Sequence, residues 1–279
     1  MLLTQAPHIV KTWEEFSEIT IRTNDLDPMY EVIAGMHQTD EWMGRFLMYF
    51  LCFYHAGDAA TCADATDDKT FWEYMVTAAM DPKVKRAAER RHFRGSNALR
   101  ALATLQGHFM APYELIHSFW GPTYSELNKV MTNRFQNTQM GPYFIWKIYD
   151  IQNVCLNRHI TLSMDEAMKF MPAEPRKAAE TFFPKQSFRE TLQMIVQHIR
   201  KLPHPVLKGY GCGLAEAETI LCMMKGYFQS KAHVIGDDID DKFYQLMGHP
   251  QLQILLPPRI NKNAFARGEF DYGKGMDTD

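Results

Sequence analysis

The sequence predicts an all-α protein, and three observations support this fold class. Asp27-Pro28 and Asp81-Pro82 each place a capping acceptor before a proline, a pattern typical of a helix start. Ser187-Phe188-Arg189-Glu190 matches a capping box, and apolar residues then follow at helical spacing. Few segments alternate apolar and polar residues with a period of two, and no Asn-Gly turn joins two β-rich runs.

Apolar residues at helical spacing predict further helices along the chain. The run from Trp42 to Tyr54 is apolar almost all round, which is typical of a helix at the centre of a core. The predicted helical segments are 41–55, 69–79, 82–93, 96–106, 111–119, 123–134, 142–156, 164–170, 187–201, 214–226 and 238–247.

The composition is that of a globular protein, with 279 residues of which 46% are hydrophobic and 23% charged. This balance excludes intrinsic disorder for most of the chain. A formal net charge of −3 argues against a protein that coats nucleic acid through bulk positive charge, but it allows one local basic patch. We expect a single catalytic domain over residues 1–279, with a crossover between two lobes near the three prolines of 171–186 and an extended tail at about 261–279.

Cysteine usage and the N-terminal residues predict a soluble, cytoplasmic protein. Five widely spaced cysteines do not form a disulfide framework, and no Cys-x-x-Cys pair supports a zinc site. The first residues lack the basic start and long apolar run of a signal peptide. The longest apolar stretch, Phe46 to Tyr54, is far shorter than the roughly 20 residues of a membrane helix.

Residues 83–100 concentrate positive charge, although the rest of the chain is net acidic. Seven Lys and Arg residues are opposed in this segment by Glu89 alone. Arg90, Arg91 and Arg94 are candidates for a phosphate site because guanidinium groups match phosphate geometry. The alternative is a solvated basic face that stabilises a helix dipole.

A glycine-rich loop separates two predicted helices. Gly209, Gly211 and Gly213 stand at alternate positions and allow a tight turn that aims backbone N–H groups at an anion beside a helix N-terminus. A flexible helix–helix loop is the alternative. The segment is neither a Walker loop nor a dinucleotide fingerprint, because no Gly-Lys-Ser/Thr follows it and no strand precedes it.

A third segment of interest is the predicted helix that opens with Gly141-Pro142. Lys147 and Asp150 are three residues apart in it and therefore project from one helical face. The alternative is a surface ion pair flanked by core aromatics.

The segment from Leu207 to Leu221 resembles the helix–hairpin–helix element of the DNA glycosylase superfamily, although Lys208 replaces the usual hairpin proline. In that superfamily an aspartate follows the second helix and faces the flipped base. Asp237 or Asp238 holds the comparable place here, after a somewhat longer intervening segment. The resemblance implies a glycosylase-like helical fold with two lobes around a cleft.

Together the three segments are similar to a narrower family, the bacteriophage amino acid:DNA transferases, also called α-glutamyl/putrescinyl thymine pyrophosphorylases. The similarity rests on the order and spacing of Arg90–Gly95, Trp146–Asp150, Gly211–Leu221 and Gly236-Asp237-Asp238. It spans roughly residues 40–260, and nothing before residue 40 contributes to it.

The resemblance implies an enzyme that hypermodifies thymine. In this family a phosphorylated 5-hydroxymethyluracil in phage DNA exchanges its phosphate or pyrophosphate for an amino acid or polyamine joined through nitrogen. The product protects phage DNA from host restriction. We expect glycine as the donor because a small amine suits a cleft crowded by aromatics. We expect no metal, no other cofactor and no membrane partner, and action in the host cytoplasm.

Each step of such a reaction needs a residue type that the sequence supplies. The departing phosphate needs cationic donors, and the incoming ammonium needs a carboxylate base that removes a proton before the amine can attack. An amino-acid carboxylate needs a cation, and a flipped base needs an aromatic partner, although core packing is the alternative for each aromatic. The candidates are Arg90, Arg91 and Arg94 for phosphate; Asp150, Asp238 and Asp237 for the base; Lys147 for the carboxylate; Trp146, Trp120, Tyr143 and Phe93 for stacking; and Lys208, Gly209, Gly211 and Gly213 for the DNA backbone.

Two other functions remain open at this point. A base-excising glycosylase on the same scaffold would leave abasic sites in DNA. A non-catalytic DNA-binding protein would keep its function after Asp150→Ala or Asp238→Ala.

Overall fold

The structure, a computed structural model, describes residues 10–84, 93, 95–117, 121–136, 141–207, 211–230 and 234–261. The all-α prediction is confirmed, because these residues form helices and no β-sheet. Within that part of the chain, no helix is long and apolar enough to cross a lipid bilayer. The α-helices are α1 Trp13–Arg22, α2 Met29–Gly35, α3 Asp40–Phe53, α4 Ala56–Ala63, α5 Asp68–Met80, α6 Gly95–His108, α7 Glu114–His117, α8 Tyr124–Arg134, α9 Pro142–Asp150, α10 Met164–Phe170, α11 Ala173–Phe182, α12 Phe188–Ile199, α13 Leu214–Met224, α14 Asp237–Gln245 and α15 Pro250–Gln253.

The chain divides into two compact units. The terminal unit comprises the described residues up to Ala34, from Met171 to Tyr244 and from Ile254 onward, and it contains α1, α2 and α11 to α14. The middle unit comprises the described residues from Gly35 to Phe170 and from Gln245 to Gln253, and it contains α3 to α10 and α15. The segment 171–186, in which we expect a crossover, is largely occupied by α11.

The apolar helix predicted around Trp42–Tyr54 forms the core of the middle unit. α3 begins behind Thr39, whose hydroxyl accepts a hydrogen bond from the amide of Trp42 at 3.3 Å. It ends at Phe53, and the next residue, Tyr54, adopts a left-handed conformation with φ of 58°. Phe46 and Phe50 are buried, and α3 packs against α4, α5 and α7. The prediction of a central helix is therefore confirmed.

The capping box predicted before α12 is present in the terminal unit. The hydroxyl of Ser187 accepts from the amide of Glu190 at 3.3 Å, and the Glu190 carboxylate accepts from the amide of Ser187 at 2.7 Å. Leu192, Ile195 and Ile199 are fully buried, and α12 packs against α13.

The helix predicted over 82–93 does not begin at Pro82, so that boundary was wrong. Asp81 directly follows α5, and its carboxylate accepts a hydrogen bond from the amide of Lys83 at 2.8 Å. This side chain therefore caps a turn instead of a helix. Residues 85–92 lie outside the described residues.

The helix predicted over 142–156 has two parts. α9 ends at Asp150, and Ile151–Cys155 continue as a π-helical turn. A second π-helical turn, Lys225–Ser230, follows α13. Periodicity in the sequence does not separate the two helix types here, because the π-helical turns are only five and six residues long.

Candidate active site

Lys147 and Asp150 lie on α9 in the middle unit and form a buried ion pair. Gly141 precedes the helix and Pro142 occupies its first turn, where the missing N–H is not needed. Nζ of Lys147 lies 3.3 Å from Oδ2 of Asp150, and the side chains are only 8% and 2% exposed. The alternative of a surface ion pair is therefore wrong. Burial of two charges costs desolvation free energy, so such a pair is a candidate for a functional role.

The chain changes its hydrogen-bonding pattern directly after this pair. The π-helical turn Ile151–Cys155 contains Gln152, whose side chain is buried. Nε2 of Gln152 donates to the carbonyl oxygen of Leu115 at 2.6 Å, which ties the turn to the residues of α7. Single π-helical turns next to α-helices often occur at functional sites. The end of α9 thus combines a buried charge pair with an irregular, well-anchored backbone.

Two of the four aromatic candidates pack in the core of the middle unit. Trp146 is fully buried, with its ring centroid 5.3 Å from Tyr124 and 5.8 Å from Tyr149. Phe93 is buried as well and meets Phe53 edge-on at 5.3 Å. Both positions favour core packing, the alternative stated for them. Tyr143 is half-buried in the first turn of α9.

Six predicted site residues lie outside the described part of the chain: Arg90, Arg91, Arg94, Trp120, Lys208 and Gly209. Their assignment to phosphate, base and DNA-backbone contacts stays a prediction.

The two arms of the glycine-rich loop lie side by side in the terminal unit. Pro203 and Gly211 form an isolated antiparallel bridge, and a Cβ atom at Gly211 would lie 2.5 Å from the carbonyl oxygen of Arg200. Close backbone approach therefore requires glycine at 211. The amide of Gly213 donates to Oε2 of Glu216 at 2.6 Å. The Glu216 carboxylate thus accepts the Gly213 amide at the start of α13, the same amide that is predicted above to hold a DNA phosphate.

The largely buried side chains of His204 and Glu216 connect the two arms of this loop. Nε2 of His204 lies 2.7 Å from Oε1 of Glu216, and Nδ1 accepts the amides of Val206 and Leu207 at 3.1 and 3.0 Å. Because an Nδ1 atom that accepts N–H groups carries no proton, Nε2 is the donor to Glu216. Burial alone would raise the pKa of Glu216, but the hydrogen bonds from His204 and Gly213 outweigh burial and lower this pKa.

The second group of candidate acids stands at the start of α14 in the terminal unit. Asp237 and Asp238 are half-buried in the first turn of this helix. Oδ2 of Asp237 accepts the amide of Val234 at 3.0 Å, and the amide of Asp237 donates to the carbonyl oxygen of Val234 at 2.9 Å. This reciprocal turn fixes the backbone from which Asp238 projects.

A third carboxyl group, that of Asp25, reaches the same turn. Asp25 is fully buried, and its Oδ2 accepts the amide of Gly236 at 2.7 Å. Burial, and after it the negative charge of Asp238, raises the pKa of Asp25 well above its usual value. Sequence reasoning missed Asp25, because 211 residues separate it from Gly236. The only local signal is a glycine, with no capping side chain, directly before an acidic helix start.

Metal binding has no geometric support in the described residues. No three His, Cys, Asp or Glu side chains among them are grouped as ligands for an ion.

Sequence comparison with known proteins identifies relatives among phage transferases. No protein-family model matches the chain. A putrescinyltransferase of Delftia phage PhiW-14 is 25% identical over 274 residues, which cover 91% of this chain and 85% of that protein. A glycinyltransferase of Pseudomonas phage PaMx11 is 25% identical over 249 residues, which cover 77% of this chain and 83% of that protein.

Over most of its length the chain is similar to phage transferases, and this similarity supports the predicted resemblance to the phage amino acid:DNA transferase family. It is an enzyme of the transferase class, as the sequence predicts. The two relatives carry different groups in their names, a polyamine in one and an amino acid in the other. The similarity to these relatives therefore does not by itself select the donor of this transferase.

Proposed function

We propose that this transferase attaches an amino acid, with glycine as the first candidate, to phosphorylated 5-hydroxymethyluracil in phage DNA. The amine nitrogen forms a bond to the exocyclic methylene carbon. The carbon–oxygen bond to phosphate or pyrophosphate breaks, and its electron pair leaves on the oxygen. Before this attack, the ammonium of the donor gives a proton to a carboxylate of the enzyme and becomes the neutral amine whose lone pair forms the new bond. The modified thymine would protect phage DNA from host restriction.

The observation that carries the proposal is the buried pair of Lys147 and Asp150, 3.3 Å apart. A free amino acid carries an ammonium and a carboxylate, so its two charges are complementary to those of Asp150 and Lys147. On binding, Lys147 would take the substrate carboxylate, and Asp150 would take the ammonium and then its proton. Each buried charge would keep an opposite charge beside it until the proton transfer neutralises Asp150 and the amine, which avoids the large cost of an uncompensated buried ion.

The other predicted site residues have supporting roles. Asp238, with Asp237 as the near alternative, is the second candidate for the base, and Arg90, Arg91 and Arg94 would stabilise the departing phosphate. Tyr143 is the described aromatic best suited to stack on an extruded base, since Trp146 and Phe93 are buried in the core. Trp120 is the remaining stacking candidate, and the loop of Lys208, Gly209 and Gly211 would contact the DNA backbone.

Mass spectrometry of nucleosides tests the proposal directly. DNA that carries 5-phosphomethyluracil or its pyrophosphate form is incubated with the protein and an equimolar mixture of amino acids and putrescine. We expect one aminated thymine, with release of phosphate or pyrophosphate, and loss of the product with Asp150→Asn. Alkali-labile abasic sites would instead identify a glycosylase. Retained DNA binding with no chemical change in either DNA would identify a binding protein.

A further inference from the structure

The residue that precedes α14, Gly236, has no side chain with which to cap this helix. Gly236 precedes the helix with φ of 90°, a conformation that favours glycine, and it has no side chain to accept the free amides of the first turn. The Asp25 carboxyl group takes this role from a distant part of the chain. Its Oδ2 accepts the amide of Gly236 at 2.7 Å, and its Oδ1 accepts the amide of Ile239 at 3.4 Å. These are the two amides that a local capping box would satisfy.

The backbone that carries Asp25 is itself fixed by the end of α1. Asn24 adopts a left-handed conformation with φ of 56°, and its amide donates to the carbonyl oxygen of Ile21 at 3.1 Å. The amide of Asp25 donates to the carbonyl oxygen of Thr20 at 2.9 Å. This pair of bonds is a Schellman motif, which closes a helix and fixes the direction of the next residue. Asp25 therefore has little freedom to turn away from α14.

Helix stability alone does not account for a carboxyl group at this position. An Asn or Ser side chain supplies a capping acceptor without a buried charge. The Asp25 carboxyl group instead lies close enough to Asp238 and Asp237 for their negative charges to raise its pKa. Burial of an acid beside two others lowers stability, and such a cost is typical of sites where function constrains the residue.

We propose that Asp25 is a positioning residue of the transferase: it holds the first turn of α14 and thereby orients the carboxylates of Asp237 and Asp238. The inference rests on the proposed function, in which one of these carboxylates is a candidate for the base. In this role Asp25 acts through its hydrogen bonds to the turn and does not touch the substrate.

Kinetics and hydrogen exchange on the full-length protein test this role together. We expect Asp25→Ala to increase exchange of the Gly236 and Ile239 amides and to lower kcat by about 10- to 100-fold. The KM values for DNA and for the amino acid should change by less than about threefold, because Asp25 does not bind either substrate. Asp25→Asn should recover part of kcat, since its carboxamide oxygen still accepts one of the two amides.

Ser187→Ala is the matched control, because it removes the capping hydroxyl of α12 in the same unit. It should lower thermal stability and leave kcat unchanged. Unchanged exchange at Gly236 and Ile239 in Asp25→Ala would overturn the proposal, as would normal kcat despite faster exchange. Failure of the proposed function is distinct: the wild-type protein itself would form no aminated thymine, and the positioning role in that reaction would fall with it.

Discussion

Lys147 donates to Asp150 across one turn of α9, with Nζ 3.3 Å from Oδ2 and both side chains removed from solvent. Lys177 and Glu174 have the same separation of three residues and a shorter distance of 2.7 Å, but both are more than half exposed. Glu174 also contacts Lys225 at 2.9 Å, and the acid precedes the base in this pair. The exposed pair therefore serves as a reference for an ion pair that solvent screens.

Removal of one member of the buried pair should destabilise the protein strongly. Asp150→Leu takes away the counter-charge of a buried ammonium, and we expect the free energy of unfolding to fall by about 3–5 kcal/mol. The double variant Lys147→Met/Asp150→Leu buries no charge and should recover most of this loss. Both variants should lack transferase activity. Urea unfolding and the nucleoside assay measure the two effects separately.

The exposed pair supplies the control for this comparison. Lys177→Met should leave both stability and activity unchanged, because solvent screens the interaction. A double variant with normal activity would remove the Lys147–Asp150 pair from the mechanism, whatever its stability.

The buried Asp25 should make stability depend on pH in an unusual direction. Its pKa in the folded protein is raised well above the ordinary value of 3.8, mainly by burial and then by Asp238. The folded state therefore binds this proton more tightly than the unfolded state. The stabilising contribution is complete below about pH 3.8 and is lost as the pH rises through the folded-state pKa.

Asp25→Asn has no titrating group at this position and serves as the comparison. The free energy of unfolding of the wild type should fall, relative to this variant, by up to about 1.4 kcal/mol for each pH unit inside that window. Urea denaturation from pH 4 to pH 8 measures both curves. Only their difference in slope is informative, because the variant also alters the cap of α14. Parallel curves would contradict the prediction.

Gly44 lies where α3 packs closely against the residues that lead into α7. A Cβ atom there would overlap backbone atoms of Pro112 and Tyr113, which cannot rotate away as a side chain can. Gly44→Ala should therefore lower the free energy of unfolding by about 1–3 kcal/mol. Gly107→Ala in the exposed part of α6 meets no atom within 4 Å and should raise stability by up to about 1 kcal/mol. Thermal unfolding of the two variants, which should shift in opposite directions, checks both expectations.

Local chemistry explains which parts of this fold the sequence predicts well. The start of α12 follows from Ser187 and Glu190, which lie within one turn and satisfy each other's amides. The same signal stands before α1 in Thr12 and Glu15, where the side chains also form a capping box, although we predicted no helix there. Asp81 shows the limit of such signals, because its carboxylate caps a short turn as readily as a helix.

The candidate site depends on interactions that sequence spacing does not report. A separation of three residues places Lys147 and Asp150 on one face of a helix, but it does not say whether that face meets solvent or core. Asp25 is less accessible still to sequence reasoning, because its role arises only when two segments 211 residues apart fold together. Sequence spacing thus predicts which residues share one face of a helix. Tertiary packing determines whether that face is buried and which distant residues contact it.

The loop between α12 and α13 offers a test of DNA binding that does not involve the candidate bases Asp150, Asp237 and Asp238. His204 accepts two amides from one arm of the loop, at Val206 and Leu207, and Glu216 accepts the amide of Gly213 from the other arm. The 2.7 Å contact between these side chains therefore joins the two arms. Because the proposed DNA-backbone contact uses this loop, Glu216→Ala should loosen the loop and weaken DNA binding about tenfold, as measured by fluorescence anisotropy. Glu190→Ala, which removes a comparable capping carboxylate from α12, should leave DNA binding unchanged.

The same carboxylate should contribute to stability in a defined pH range. The pKa of Glu216 is lowered below its usual 4.5, because the hydrogen bonds outweigh burial, so the folded state favours the ionised form. The resulting stability is present above about pH 4.5 and is lost as the pH falls through the folded-state pKa. Glu216→Gln should therefore be less stable than the wild type at neutral pH. The difference in free energy of unfolding between the two proteins should become smaller in acid. If urea unfolding gives the same difference in free energy between wild type and Glu216→Gln from pH 7 to pH 3, the charge of Glu216 does not stabilise the loop.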